Sequence, residues 1–428
     1  MKKCSNCFKT SDFLAQIKKL GLQKNSFLQK TAQSKLRKIF LGDTDFYPGL
    51  SFCNLFAKKF SLPSKGKKSL IKNKKSLVRK AYKPKTYQQY IRPESHAFYL
   101  LFINGLFQPE LSCYKDFLKI RAPSAVLLKK ALHKEEGLGL LNLSLGEKAL
   151  LLTVEKNKKI KPPLQIINLI TEEKAAFIAP VIFFQIQENA SLEIISETVD
   201  LKQSSEPVFA PYTFFSLSKT AHVRYTSLNL KSGFWQNSFL RLFLEREAHF
   251  SLAYFTSGGQ VELQDLKANL KRGASLALNS LSFLKAEKQS YFHSQIEHVE
   301  EKSVSSQLYK SVLDDRSRFF VNGEISMKSK TEGSDGSFLN RNLLLSSRAG
   351  VYAQPFLKIA TDDVKAKHGV TSAKLSDEEL FYLKSRGISQ RVAQKCLLRG
   401  FCQEIKNLVK IKSINRSIEK AFYVDFKS

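Results

Sequence analysis

The sequence predicts a mainly β protein with helical ends, and three observations carry that reading. From about Phe98 to Ile359, short runs rich in β-branched, aromatic and leucine residues follow one another, and long helical periods are missing. A weak alanine-based repeat runs through the same span. Beyond Ser376 the apolar spacing changes to that of a helix.

Residues 1–57 mix apolar and basic side chains, with helix-like spacing at Phe13, Ile17 and Leu20, and are expected to form an N-terminal helical region. Residues 58–93 read as a basic linker or arm. Lys58 to Lys85 holds twelve Lys and Arg, and no acid occurs between Asp45 and Glu94. Like charges at that density repel and extend a chain.

Residues 94–370 form the expected β core. Phe183–Ile186, Leu192–Ile195 and Phe250–Phe255 are typical of its strands. Ala190, Ala221, Ala248 and Ala274 lie 31, 27 and 26 residues apart, each after a polar residue or glycine and before a polar then a large apolar residue. Coils stacked as a β-solenoid suit such a period, and a β-sandwich accommodates it equally well.

Residues 371–428 are expected to be helical. Ser376 with Glu379 makes a capping box, and Gly387 stands where a C′ glycine belongs. Ser389 is placed to cap a second helix carrying Val392, Ala393, Cys396 and Leu397 on one side and running on through Phe401 and Ile405. Two such helices after a β domain suggest a partner-docking module.

The balance of 69 Lys and Arg against 38 Asp and Glu gives +31. It invites an anionic partner, but the excess is partly local and the basic arm has little aromatic interleaving, so nucleic acid is disfavoured. The six cysteines form no dense framework, which points to a reducing cytoplasm. Cys4 and Cys7 lack the second pair a zinc site wants. No apolar run approaches the ~18–20 residues of a membrane span, and no signal-peptide core follows Lys2 and Lys3.

Phosphate-binding loops, the dinucleotide fingerprint, the nucleophile elbow and the zinc-protease motif are all missing, so the chain is expected to be no enzyme and to hydrolyse no ATP. Among seven histidines, His293 and His298 stand close together, and His368 follows Asp362 and Asp363. The odd separation puts His293 and His298 on opposite faces of a strand, where each reads as a structural histidine.

The stretch from His293 to Glu404 resembles the core domain of the SufB/SufD family of iron–sulfur cluster assembly proteins. The resemblance rests on Ser306–Lys310, Phe320–Ile325, Asn342–Ser346, Asp362–Gly369, Leu380–Ile388 and Gly400–Glu404, in that order. Phe102–Gly105 and Pro109–Ser112 resemble the SufD-type N-terminal region in particular. The likeness covers about three-quarters of the chain and fades before Phe98.

It implies a right-handed parallel β-helix between N-terminal and C-terminal helical regions. It also implies a SufB paralogue paired through the β-helices, and a SufC ABC-type ATPase held on the C-terminal helices. A homodimer stays compatible with the sequence.

No cofactor is expected to bind stably to this chain alone. Iron or an iron–sulfur cluster would pass transiently at the interface with SufB, where His368 matches the family's functional histidine and is the candidate iron ligand. Two departures matter. Ala349 stands where SufB-type chains carry an assembly cysteine, and Ala366 where many SufD-type chains carry one. Both argue against a SufB-type scaffold, and no thiolate lies near His368 to hold a cluster.

Overall fold

A strand that buries one face needs a layer to cover it, and in this chain each coil is covered by the next. A computed structural model describes residues 85–423, other than 115–117, 134, 136–138, 141, 144–148, 175, 206 and 231. The expected N-terminal helical region and residues 58–84 of the basic arm lie outside the described residues, while Tyr87 and Arg92, near the arm's end, are buried in the fold.

Successive strands alternate between two sheets. The first runs Leu106–Phe107, Tyr99–Ile103, Leu164–Ile170, Ser191–Asp200, His222–Asn229, His249–Thr256, Ser275–Leu284, Val304–Leu313, Ser334–Leu344, Val364–Ala373. The second runs Gly350–Ile359, Arg318–Met327, Gln289–His298, Val261–Leu270, Trp235–Leu244, Tyr212–Leu217, Val181–Ile186, Leu150–Val154, Leu118–Arg121. Neighbours are parallel except for one antiparallel pair at the start of each sheet. The result is a parallel β-solenoid of about seven turns, which settles the choice left by the repeat.

The repeat has a definite cause. The residue before each alanine adopts positive φ: Asn189, Thr220, Glu247 and Gly273, with values of 56°, 56°, 54° and 65°. Its amide donates to a carbonyl of the next coil, as Asn189 does to Lys219 and Glu247 to Arg272. The alanine that follows is fully buried at the corner. Two further coils use the same device with serine: Lys302 then Ser303, and Gly333 then Ser334. A small residue is needed there because two sheets converge; alanine is only one solution.

Inside, apolar side chains stack coil on coil, as Phe184 does on Phe215 with centroids 4.5 Å apart. Outside, each sheet carries helices. Helix α1 (Ala125–His133), which the strand-like texture of its surroundings does not predict, packs Leu127, Ala131 and Leu132 near Phe183, Phe214 and Phe239.

Just beyond α1, Glu135 enters the protein and meets Arg241. The guanidinium gives Glu135 two hydrogen bonds of 2.6 and 2.7 Å and Asp265 one of 3.0 Å. The Tyr212 hydroxyl donates to Glu135 at 2.9 Å. Burial alone would raise the Asp265 carboxyl, but Arg241 and the His293 ring hold it well below the usual carboxylate range.

The C-terminal segment forms α2 (Asp377–Ser385), α3 (Gln390–Lys406) and α4 (Lys412–Tyr423). Ser376 caps α2 by accepting from the Glu379 amide, and Gly387 follows at φ 80°. Ser389 occupies the cap position of α3, yet its side chain accepts no capping bond. The buried side of α3 is Ala393, Leu398, Cys402 and Ile405; Val392 and Cys396 face solvent.

Helices α3 and α4 lie over the first sheet, burying Leu398, Ile405, Ile414, Ile418 and Phe422 against Ile195, Leu228, Phe255, Phe283, Val312 and Leu343. Each large apolar side chain so covered contributes about 1.5–3 kcal/mol. Lys310 fastens α3 by reaching Glu404 at 2.7 Å and the Phe401 carbonyl at 2.8 Å. Arg92 does the same for α4, pairing with Glu197 at 2.7 Å and donating to Ser417 at 2.8 Å.

Candidate functional site

The coil made by Gly350–Ile359 and Val364–Ala373 is the last, and among the described residues no strand stacks on it. Its chemistry follows from register. Phe338 pairs with His368, and Phe338 is fully buried inside the solenoid. Parallel partners share a face, so His368 belongs to the inner face together with Val364, Ala366 and Val370. In the coils below, residues of this column are buried: Leu252, Leu278, Gln307 and Phe338. His368 is exposed because the column ends with it.

The second sheet ends in the same way. Tyr291, Phe320 and Tyr352 stack along its outer face with centroids 4.3 and 4.7 Å apart. Exposure grows along the stack from 6% at Tyr291 to 55% at Tyr352, and Phe356 on the same strand is 47% exposed. These aromatics are part of the site that sequence reading missed. Their signal is the alternation Tyr352, Gln354, Phe356, which puts all three on one face.

Asp362 and Asp363 are exposed in the turn leading to His368, and the Asp363 carbonyl accepts from the Gly333 amide. Ala349 packs partly buried against the core, and Ala366 lies two residues before His368 on its face.

The other two histidines lie elsewhere. His298 points into the solenoid, with Nδ1 2.7 Å from Ser303 Oγ and Nε2 2.8 Å from Ser305 Oγ. His293 points outward, 3.7 Å from Asp265 in the ion network under α1. Their opposite faces agree with the odd spacing. Among the described residues no three His, Cys, Asp or Glu side chains converge as a metal cage, at His368 or elsewhere. No helix among them is long and apolar enough to cross a membrane.

A second exposed apolar feature lies on α2. This helix buries no residue, and Phe381 and Tyr382 are 72% and 58% exposed.

The fold and this end together define a class: a two-sheet parallel β-solenoid with an unstacked last coil bearing a histidine, and helices strapped along one face. Residues 168–401, more than half of the chain, match the family described as SUF system FeS cluster assembly, SufBD core domain. The chain belongs to the SufBD family of iron–sulfur cluster assembly proteins and is SufD-like.

Among its relatives, an iron–sulfur cluster assembly SufBD family protein of Synechocystis is 25% identical over 76% of this chain and 77% of its own length. The iron–sulfur cluster assembly protein SufD of Escherichia coli is 26% identical over 74% and 77%. Protein ABCI7, chloroplastic, of Arabidopsis thaliana is 26% identical over 53% and 48%.

Proposed function

We propose that this chain is the SufD-type, non-catalytic subunit of a SUF assembly complex. In this reading it pairs through its unstacked coil with a SufB-type paralogue, holds a SufC-type ATPase on α2 and α3, and presents His368 to iron at the paired end. The observation that carries the reading is His368 itself, a core-facing position left open to solvent at a strand edge. An edge strand offers unpaired backbone groups to another chain. Neutral imidazole is a suitable donor to Fe²⁺, and iron and the nascent cluster are cargo rather than resident cofactors. With one imidazole and no nearby thiolate, the isolated chain is expected to hold no stable cluster.

The test is His368→Ala in the co-expressed complex. Loss of an exposed side chain that makes no hydrogen bond among the described residues is expected to leave stability within about 0.5 kcal/mol. Subunit stoichiometry and melting temperature should stay unchanged, while cluster yield falls about tenfold, the scale on which metal-site groups act. Normal cluster yield from an intact complex removes His368 from the role.

The ATPase face is tested at α2, because truncating the helices would uncover the apolar side of the first sheet. Phe381→Ala with Tyr382→Ala should leave the melting temperature unchanged and weaken co-purification of the ATPase by at least tenfold. Two central aromatics commonly contribute ~2 kcal/mol or more to an interface. Full retention of the ATPase would place its docking surface elsewhere.

A further inference from the structure

Two histidines take the same place in consecutive coils. His222 follows the corner Ala221 and His249 follows the corner Ala248, each as the first residue of its strand. Val223 and Phe250, the next residues, are buried inside the solenoid, so both histidines point outward. Register pairs His222 with His249, and places Ser191 and Ser275 on either side of them. The His222 amide donates to the Ala190 carbonyl at 2.9 Å and the His249 amide to Ala221 at 2.8 Å. The two side chains therefore leave a fixed ladder in the same direction, one rung of about 4.8 Å apart.

Their rings lie stacked, with centroids 4.5 Å apart and planes 15° from parallel. Both residues are exposed, and neither belongs to the cluster covered by α3 and α4. Nδ1 of His249 bonds the Ser275 hydroxyl, which orients that ring and leaves Nε2 as its open position. Partial burial, then the charges of His249, Lys159 and Arg224, lowers the pKa of His222, so its ring is neutral at pH 7 and offers a lone pair.

Two imidazoles on one side of a rung make a nitrogen chelate. To hold one ion at bond lengths of about 2.0–2.1 Å, equivalent nitrogens must approach by roughly 1–1.5 Å. Small rotations of two exposed side chains supply that. Nitrogen donors without a carboxylate suit zinc, copper and nickel rather than magnesium or calcium. Lys159 and Arg224 are the cations that act on this place, and they oppose a bound metal ion. Each carries its charge at the end of a long, exposed chain that is free to turn away.

We propose that His222 and His249 form a two-imidazole clamp for a divalent transition ion of the zinc and nickel class, with water completing its coordination. The clamp lies on the outer face of the first sheet, four strands from the one that bears His368, a distance of roughly 20 Å. It is independent of the iron role given to that residue.

Calorimetric titration of the full chain with Ni²⁺ at neutral pH, its exposed thiols alkylated, tests the clamp. His222→Gln and His249→Gln should each weaken one and the same nickel site at least tenfold. The double variant should lose no more than that one site. Lys159→Gln with Arg224→Gln should tighten the site, because two opposing charges are gone. The site should persist in His368→Ala.

All of these side chains are exposed, so melting temperatures without metal should match the wild type and separate lost binding from lost folding. Unchanged nickel binding in either histidine variant overturns the proposal, as does the loss of two separate sites in the double variant. Weaker binding after removal of Lys159 and Arg224, or loss of the site in His368→Ala, overturns it as well.

Discussion

Arg241→Ala is expected to cost about 3–5 kcal/mol, because it leaves Glu135 and Asp265 buried without their cation. Both carboxylates were desolvated at folding on the strength of one guanidinium. It bridges the segment after α1 to the Val261–Leu270 strand, two pieces of chain that the backbone does not join. Lysine should not rescue the loss, since one ammonium cannot reproduce a two-pronged bond to Glu135 and a third to Asp265.

Urea denaturation of Arg241→Ala and Arg241→Lys measures the effect. The alanine variant should also melt roughly 10 °C lower, on the few-degrees-per-kcal scale of large domains. A loss below about 1 kcal/mol would mean that the pair is solvated and that α1 is held by its apolar side alone.

The second large effect is acid lability through His298. Burial pushes this imidazole down to about 4 from 6.5, despite the nearby Asp335 and a hydrogen bond to Ser303. The folded state therefore keeps it neutral where the unfolded state protonates it. Stability from this group is full above pH 6.5 and is lost as pH falls from 6.5 through 4.

A shift of that size corresponds to about 3 kcal/mol across the window. Denaturation midpoints of the wild type and His298→Gln, taken between pH 7 and 4, isolate the contribution. The wild type should lose its stability steeply over that range and the variant less so. Parallel pH profiles would show that His298 is protonated in the fold.

Much of this fold was legible because strand texture and corner chemistry are local. The alanine period marked corners correctly, since a positive-φ residue followed by a small buried one is a local requirement. It stopped short at Ser303 and Ser334 because serine meets the requirement equally and carries no apolar signal.

Helix α4 was expected only as part of the helical residues 371–428, and its own buried stripe, Ile414, Ile418 and Phe422, was not singled out. The side of α3 was misjudged at Val392, which is 49% exposed, because which stripe is buried depends on the sheet beneath it. Arg241 with Glu135 lay beyond reach, as partners 106 residues apart leave no pattern in the sequence. His368 was found by family resemblance. What the sequence could not supply was its register with Phe338, which turns a histidine in a motif into a core position left uncovered.

The helices strapped over the first sheet change how such a molecule yields to force. Coils that touch only their neighbours peel away one after another from either end. Here one apolar cluster takes residues from six successive strands, Ser191–Asp200 to Ser334–Leu344, and from both α3 and α4. Pulling out any one of those coils tears a surface that the others share, so they resist together, as staves do under a hoop. The Val364–Ala373 strand gives that cluster no residue. The hoop stops one coil short, and the coil left outside it is the one that carries His368.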